Sequence, residues 1–417
     1  MTGATPTRTV KRMNEDLSFT AVGRRLLSPQ GLADPYKIYR EVRETVGARA
    51  PTGRFLFHHE DVREALCDRE LSSARVSAIL RPLPADVRDA TPLLERTLRD
   101  IIVFHDQPDH RRLRKLLTQA FTPRLIKQTR PMIEQMTDHL LDGLAGKSVI
   151  DLHRGLTYPL PAMVVAALLG IPDADRDTFQ AWALDIVLVV GSGTITPELA
   201  YRANASMAQM RQLMSRLVDE RRRAPGSDLL SAMIAASDEG EALSTDELYA
   251  NALFLMTAGH ETATNLLSNA ILTLLRHPDQ LGLLTDDPSL LDSAIEEVLR
   301  FEGPVQIAAR IAERDREYQG VPLKAGQAVI VMLGAANRDP NVFSNPDRFD
   351  ITRRDTAHVA FAHGMHFCLG AALARAEMQI VLPRVFARFP KMQLAEEQIT
   401  WQPTLDFRGP NQLLVRS

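Results

Sequence analysis

Residues Phe361 to Gly370 read FAHGMHFCLG, and Cys368 stands directly before LGAALARAEMQIVLPRVFARF, a run with helical composition. A helix start presents unpaired backbone N–H groups that carry partial positive charge. Such groups stabilise a thiolate and lower the pKa of the cysteine. Gly364 and Gly370 allow backbone to come close to a flat ligand where a side chain would clash. Two blander readings stand beside this one. A lone cysteine is often a small buried hydrophobe, and His363 and His366 with Cys368 would make a zinc site that lacks a fourth ligand. Five specified positions (Phe361, Gly364, His366, Cys368, Gly370) match by chance on the order of once in a hundred thousand, which favours a ligand loop.

Other groupings are weaker alone. His110 and Arg114, in DHRRLRKLLTQAF, lie four apart and share a helix face, which is ordinarily a solvated one. Ala258-Gly259-His260-Glu261-Thr262 falls in the middle of a long apolar helix, where Gly costs up to ~1 kcal/mol relative to Ala. Glu and Thr there need partners; a kink, with Thr262 bonded back to a carbonyl, would supply one. Glu297 and Arg300 form an E-x-x-R pair one turn apart, a common surface pattern. Ala335 to Arg353, AANRDPNVFSNPDRFDITR, has the proline and asparagine spacing of an ordered loop.

FAHGMHFCLG resembles the cysteine-ligand loop of the cytochromes P-450, and the four segments above resemble the same family in the expected order, from roughly residue 105 onward. The resemblance implies haem b with Cys368 as its axial thiolate, an arrangement that pushes electron density to the iron and favours O–O cleavage. It assigns His110, Arg114, Arg310 (in PVQIAARI) and His366 to the haem propionates, which need cationic partners when partly buried. It assigns Thr262 and Glu261 to proton delivery. Gly259 would open the helix locally to make room for dioxygen and water. It makes Glu297 and Arg300, with Arg348 as partner, a structural support for the cysteine loop. Two departures stand out: Ala362 replaces a common glycine, which implies a tighter loop, and Ala263 follows Thr262 where a second threonine is usual.

The activity implied is a monooxygenase that takes O2, leaves one oxygen atom in a small-molecule substrate and releases the other as water. Alternatives within the family are peroxygenase chemistry and oxidative coupling or ring formation; Glu261-Thr262 argues against a peroxide-only enzyme. A haem-binding sensor without turnover, or a helical protein without haem, are the readings from other classes. There is no cysteine cluster and no G-x-G-x-x-G after a strand, so electrons must come from NAD(P)H through separate proteins. The resemblance points to a ferredoxin or flavodoxin with its reductase, and Arg111, Arg112 and Lys115 offer a basic landing patch. The substrate pocket implied draws on 81–98, 185–196, 251–254, 305–308 and 405–407, with Ala258 and Val305 as apolar wall and Asn251 and Gln306 as polar handles. A medium-to-large, mainly apolar ligand fits that lining, such as a macrolide or terpenoid undergoing tailoring.

These residues need rigid elements to hold them. Helical periodicity runs through His110–Ala120, Thr129–Leu144 and Asn204–Arg223. The clearest helix is Ser244 to His277: Ser244 and Glu247 match a capping box, and His277-Pro278 supplies a stop. Strand signals come late, at Ala309–Ala312, Ala328–Met332 and Gln412–Val415, with turns at Gln319-Gly320 and Ala325-Gly326. Arg81 to Thr91 reads as irregular. The expectation is a mainly α fold with a minor β part; the resemblance adds a triangular-prism-like domain with a long central helix over the haem. Residues 1–20 read as a flexible arm and 21–417 as one domain.

At 417 residues with 45% apolar and 24% charged, the chain is globular in composition. Its net charge of -3 gives no general pull toward nucleic acid. Two cysteines, Cys67 and Cys368, suit a reducing compartment. Ala183–Val190, the richest apolar stretch, is too short to cross a bilayer. A cytoplasmic monomer without a membrane anchor is expected.

Overall fold

The computed structural model describes residues 19–46, 55–191, 195–238, 241–318 and 321–416. The expected arm lies almost wholly outside these residues, as do the Gln319-Gly320 turn and 192–194. The described chain is mainly helical, with small sheets.

The central helix, Thr245–Arg276, is 32 residues long, about 48 Å at ~1.5 Å per residue. Its start is fixed as expected. Ser244 Oγ accepts the Glu247 N–H at 3.1 Å, and Glu247 Oε2 accepts the Ser244 N–H at 2.7 Å. Twenty of its residues are buried, from Leu248 to Leu274. They divide between two cores. Leu248, Leu253 and Met256 pack with the helices Pro159–Leu168, Asp173–Gly191 and Pro197–Arg223, whereas Leu266, Ile271 and Leu274 pack with Leu291–Phe301 and Ala371–Arg388. The Ala258–Thr262 segment stands where the two cores meet.

Helical geometry is unbroken through that segment. A Cβ on Gly259 would meet Val165 Cγ2 at 2.8 Å. The glycine therefore serves close approach of the helix Pro159–Leu168, which replaces the expected local opening. Apolar burial at ~25 cal/mol per Å2 offsets the weak helix propensity of glycine.

A four-stranded sheet runs in the order Phe55–Leu56, Ala328–Met332, Ile307–Ala312, Leu71–Ser72. Its central antiparallel pair sets Ile307 opposite Met332 and Arg310 opposite Val329. Smaller sheets join Val149–Asp151, Leu414–Arg416 and Gln393–Leu394, and separately Arg316–Tyr318 with Val321–Leu323. Gly326 turns with φ +78°, as the Ala325-Gly326 signal predicts. Within the stretch expected to be irregular, Ala85–Ala90 is helical, with Pro84 at its N-cap. A proline at a helix start starts the turn and does not break it. Among the described residues no helix is long and apolar enough to cross a membrane.

Candidate active site

Cys368 leaves the loop 361–370 immediately before the helix Ala371–Arg388. Its own N–H donates to Phe361 O at 3.0 Å, which closes the loop. Gly364 has φ +72°, and a Cβ there would meet Cys67 Sγ at 3.0 Å and Leu66 O at 3.1 Å. This glycine thus fits the loop onto the helix His59–Cys67. Ala362 also adopts a left-handed backbone, φ +60°, so alanine sits where the turn suits glycine. Burial pushes the Cys368 thiol up, and hydrogen bonding from Gly370, the charges of Arg114 and Arg375 and hydrogen bonding from Ala371 pull it back. Burial wins. The N–H groups at the helix start thus favour the thiolate, as expected, and work against the rise that burial imposes.

A cavity of about 310 Å3 lies between this loop and the middle of the central helix, and Cys368 opens into it. Phe254, Leu255, Ala258, Val305 and Ala308 give it apolar wall, and Thr262 lines it too. His110, Arg114 and His366 bound one edge. The His110 and His366 rings lie 4.2 Å apart, and His366 Nε2 meets Ser73 Oγ at 3.0 Å. Arg114 Nη1 donates to Phe367 O at 2.7 Å. Burial, then the neighbouring charge of Arg114, holds His110 down to about 4. Burial, followed by His110, Arg310, Arg75 and Arg114, holds His366 down to about 2. Arg310 is buried, and burial lowers its pKa; Arg75 is brought down to about 10 by burial and by Arg310. Three guanidiniums and two neutral imidazoles gather here. Arg75, in LSSARVSAIL, carries no sequence signal that sets it apart from a surface arginine.

Glu377, on the cysteine helix, also lines the cavity. Its Oε2 is buried without a hydrogen-bond partner, and burial raises the carboxyl to about 8. It was not predicted; the only signal is an acid set inside an otherwise apolar helical face.

Thr262 and Glu261 diverge. Thr262 Oγ1 donates to Ala258 O at 2.5 Å, the back-bond open to a half-buried threonine within a helix. Glu261 does not line the cavity; its Oε1 accepts from Gln402 Nε2 at 2.8 Å and Asn265 Nδ2 at 3.2 Å.

Both expected polar handles are absent from the cavity wall. Asn251 is fully buried and ties Asp100 O, Glu247 O and the Ile102 N–H. Gln306 is buried against Gly303 O and the hydroxyls of Tyr36 and Tyr39. Both are structural. Nor, among the described residues, does the wall include any from 81–98, 185–191, 195–196 or 405–407. Asp185 is instead bound by Arg202 Nε at 2.5 Å and Ser206 Oγ at 2.6 Å.

The E-x-x-R pair is buried and bidentate: Arg300 Nε to Glu297 Oε2 at 2.7 Å, Arg300 Nη2 to Glu297 Oε1 at 2.8 Å. Its side-chain partner is Arg353, whose Nε reaches Glu297 Oε2 at 3.1 Å. Arg348 is exposed and contributes only its carbonyl, which corrects the sequence assignment. Glu296, next in sequence, pairs with Arg375 and His358 and so joins this helix to the cysteine helix. Burial would raise Glu296, but the hydrogen bonds and charges of Arg375 and His358 outweigh it and hold the carboxyl down to about 2.

The cytochrome P450 family model matches residues 55–282 and 286–405. The chain belongs to the cytochrome P450 family. Cytochrome P450 107B1 of Saccharopolyspora erythraea is 44% identical over 86% of this chain and 87% of its own length. The 6-deoxyerythronolide B hydroxylase of the same organism is 36% identical over 92% and 96%. The crystal structure of P450BioI in complex with hexadec-9Z-enoic acid ligated acyl carrier protein superposes with a TM-score of 0.84. It is 34% identical and covers 94% of this chain and 100% of its own. The chain is therefore a haem-thiolate monooxygenase with the P450 fold, and separate redox proteins supply its electrons. The cavity edge suits that cofactor. The guanidiniums of Arg114, Arg310 and Arg75, with the neutral imidazoles of His110 and His366 as hydrogen-bonding partners beside them, suit the two carboxylates that haem carries.

Proposed function

We propose that this P450 holds haem through Cys368, with His110, Arg114, Arg310, His366 and also Arg75 around the propionates. The observation that carries the reading is a cysteine open to an apolar cavity lined also by His110, Arg114 and His366, with Arg310 and Arg75 next to His366. Haem, once bound, would supply the oxygen activation, which ligation by a thiolate favours. The chain's own part is ligation, exclusion of water and movement of protons. Thr262 turns its hydroxyl from Ala258 O toward the cavity, and Glu261 supplies protons through it. Residues 21–417 act as one catalytic domain, in the cytoplasm and as a monomer.

Loss of Asn251 and Gln306 from the wall makes substrate recognition a matter of shape and apolar contact. One relative acts on 6-deoxyerythronolide B, and another is seen with a fatty-acyl carrier protein. A medium-to-large, mainly apolar substrate bearing hydroxyls or a carboxyl at its ends is consistent with both. The test is a titration of haem-loaded protein with 6-deoxyerythronolide B and with hexadec-9Z-enoic acid, read as the shift in haem spin state. A saturable shift with either, followed by a product heavier by one oxygen atom with NADH, O2 and a surrogate redox pair, supports the reading. Product formed with peroxide but never with NADH would favour a peroxygenase.

A ferredoxin is the electron donor this surface favours. Arg111 and Lys115 are exposed on the helix that carries His110 and Arg114, whereas Arg112 is committed to Glu247 and is not part of the patch. Reversing Arg111 and Lys115 to glutamate should slow haem reduction by a ferredoxin at least tenfold at low salt, with little change at high salt. An unchanged rate at low salt removes the patch from consideration.

A further inference from the structure

Glu261 is one residue from Thr262, but its carboxylate faces the other way. Successive helical residues point about 100° apart, and here that turn takes Thr262 into the cavity and Glu261 toward the C-terminal segment. There two side-chain amides grip it. Gln402 Nε2 and Asn265 Nδ2 both donate to Glu261 Oε1, and the amides also bond each other, Gln402 Nε2 to Asn265 Oδ1 at 3.2 Å and Asn265 Nδ2 to Gln402 Oε1 at 3.3 Å. The three side chains close a ring.

The ring is held rigidly from behind. Asn265 is fully buried, and a Cβ on Gly409 would come within 2.0 Å of its Oδ1, so only glycine lets the strap lie this close. The Gln402 N–H donates to Gly409 O at 3.0 Å, and Trp401 bridges to Pro410. On its far side Gln402 borders a cavity of about 20 Å3 shared with Tyr39, Gln306 and Thr404. That is room for one water with several polar partners.

We propose that Asn265 and Gln402 are positioning residues that clamp Glu261 on the side of the central helix that faces the 401–410 segment and set when its carboxyl swings to Thr262. The idea rests on the reading of Glu261 and Thr262 as the proton route. Neutral amides suit the task. They satisfy a partly buried carboxylate, yet water can replace them as it leaves, whereas an arginine would hold it as an ion pair. Neither amide relays the proton itself.

The test uses haem-loaded Gln402→Met, which keeps the side chain's length and removes its donor, with Gln402→Ala as a second variant and Glu261→Gln as reference. Retention of the reduced, carbon-monoxide-bound Soret band of the parent shows that each variant is folded and ligated. The first readout is the infrared carboxylate band of Glu261 in protein labelled with 13C-glutamate, assigned by its loss in Glu261→Gln. The second is the solvent isotope effect on O2 consumption driven by NADH, a surrogate ferredoxin and its reductase, without added substrate. The clamp predicts a shifted carboxylate band in both Gln402 variants, with an isotope effect and rate changed at least threefold while the rate of haem reduction stays that of the parent. A band at the parental position overturns the clamp, and so does a shifted band with parental rate and isotope effect. If Glu261→Gln itself has the parental rate and isotope effect, the proton-route reading fails first; if only the Gln402 variants are silent, the clamp alone fails.

Discussion

Ala362 carries left-handed backbone inside the loop that presents Cys368. A residue with a Cβ is strained there by ~1 kcal/mol or more. Ala362→Gly should therefore raise the stability of the haem-loaded protein by about 1 kcal/mol in urea unfolding; a loss of stability would mean that the neighbours hold the methyl usefully. Glu377 is the opposite case, a buried acid with an unmet oxygen. Its folded pKa of about 8 exceeds the ordinary 4.5, so the folded state binds the proton more tightly. Stability is then intact below about pH 4.5 and declines as pH rises toward 8. Glu377→Gln should match the parent near pH 4 and exceed it progressively above, by up to about 3 kcal/mol at pH 7. Equal stabilities across that range would contradict the buried, unpartnered acid. Cys368 and His366 stand out by type and offset within one loop, and His110 and Arg114 through the family resemblance; all four line the cavity. Arg75 and Glu377 were not legible in the sequence, because burial and through-space charge leave no local trace.

At the scale of elements, the helix Leu291–Phe301 uses consecutive glutamates for two separate joints. Glu297 binds Arg300 and Arg353 and so anchors the 337–353 loop, while Glu296 binds Arg375 and His358 and anchors the cysteine helix. Arg353→Ala removes one charged hydrogen bond from a carboxylate that Arg300 still pairs, so it should cost about 1.5–3 kcal/mol, whereas Arg348→Ala should cost under ~0.5 because only its carbonyl takes part. Equal costs from the two, measured by chemical unfolding, would restore the partner that the sequence suggested. The misassignment has a physical source: both arginines follow the same loop, and its turn decides which one points inward. Long helices were legible because a capping box, a proline stop and apolar periodicity agree over many residues. The strands Phe55–Leu56 and Leu71–Ser72 are two residues each. Such short pairings depend on what lies beside them, and periodicity has nothing to act on.

For the whole molecule, two helical cores share one long helix and leave a cavity at their junction, with the cysteine loop facing it from the far side. Carboxylates hold the outer joints. Glu296 and Asp339 both sit at about 2, below the ordinary carboxylate values. Asp339 is held there against its burial by His58, the His59 N–H and the Asn341 N–H. Acids lowered in this way stabilise the fold above their unfolded pKa and lose that contribution as pH falls toward 2. Unfolding free energy should thus decline from about pH 4.5 downward, and Glu296→Gln should flatten part of that slope; an unaltered slope would show that the joint is unimportant in acid. The central claim is narrower, that the sulfur of Cys368 is the haem ligand. The direct measurement is the spectrum of reduced, carbon-monoxide-bound protein for the parent, Cys67→Ser and Cys368→Ser. The account predicts the red-shifted Soret band of thiolate ligation in the first two and its loss in the third; the same band in Cys368→Ser, or its loss in Cys67→Ser alone, would contradict it.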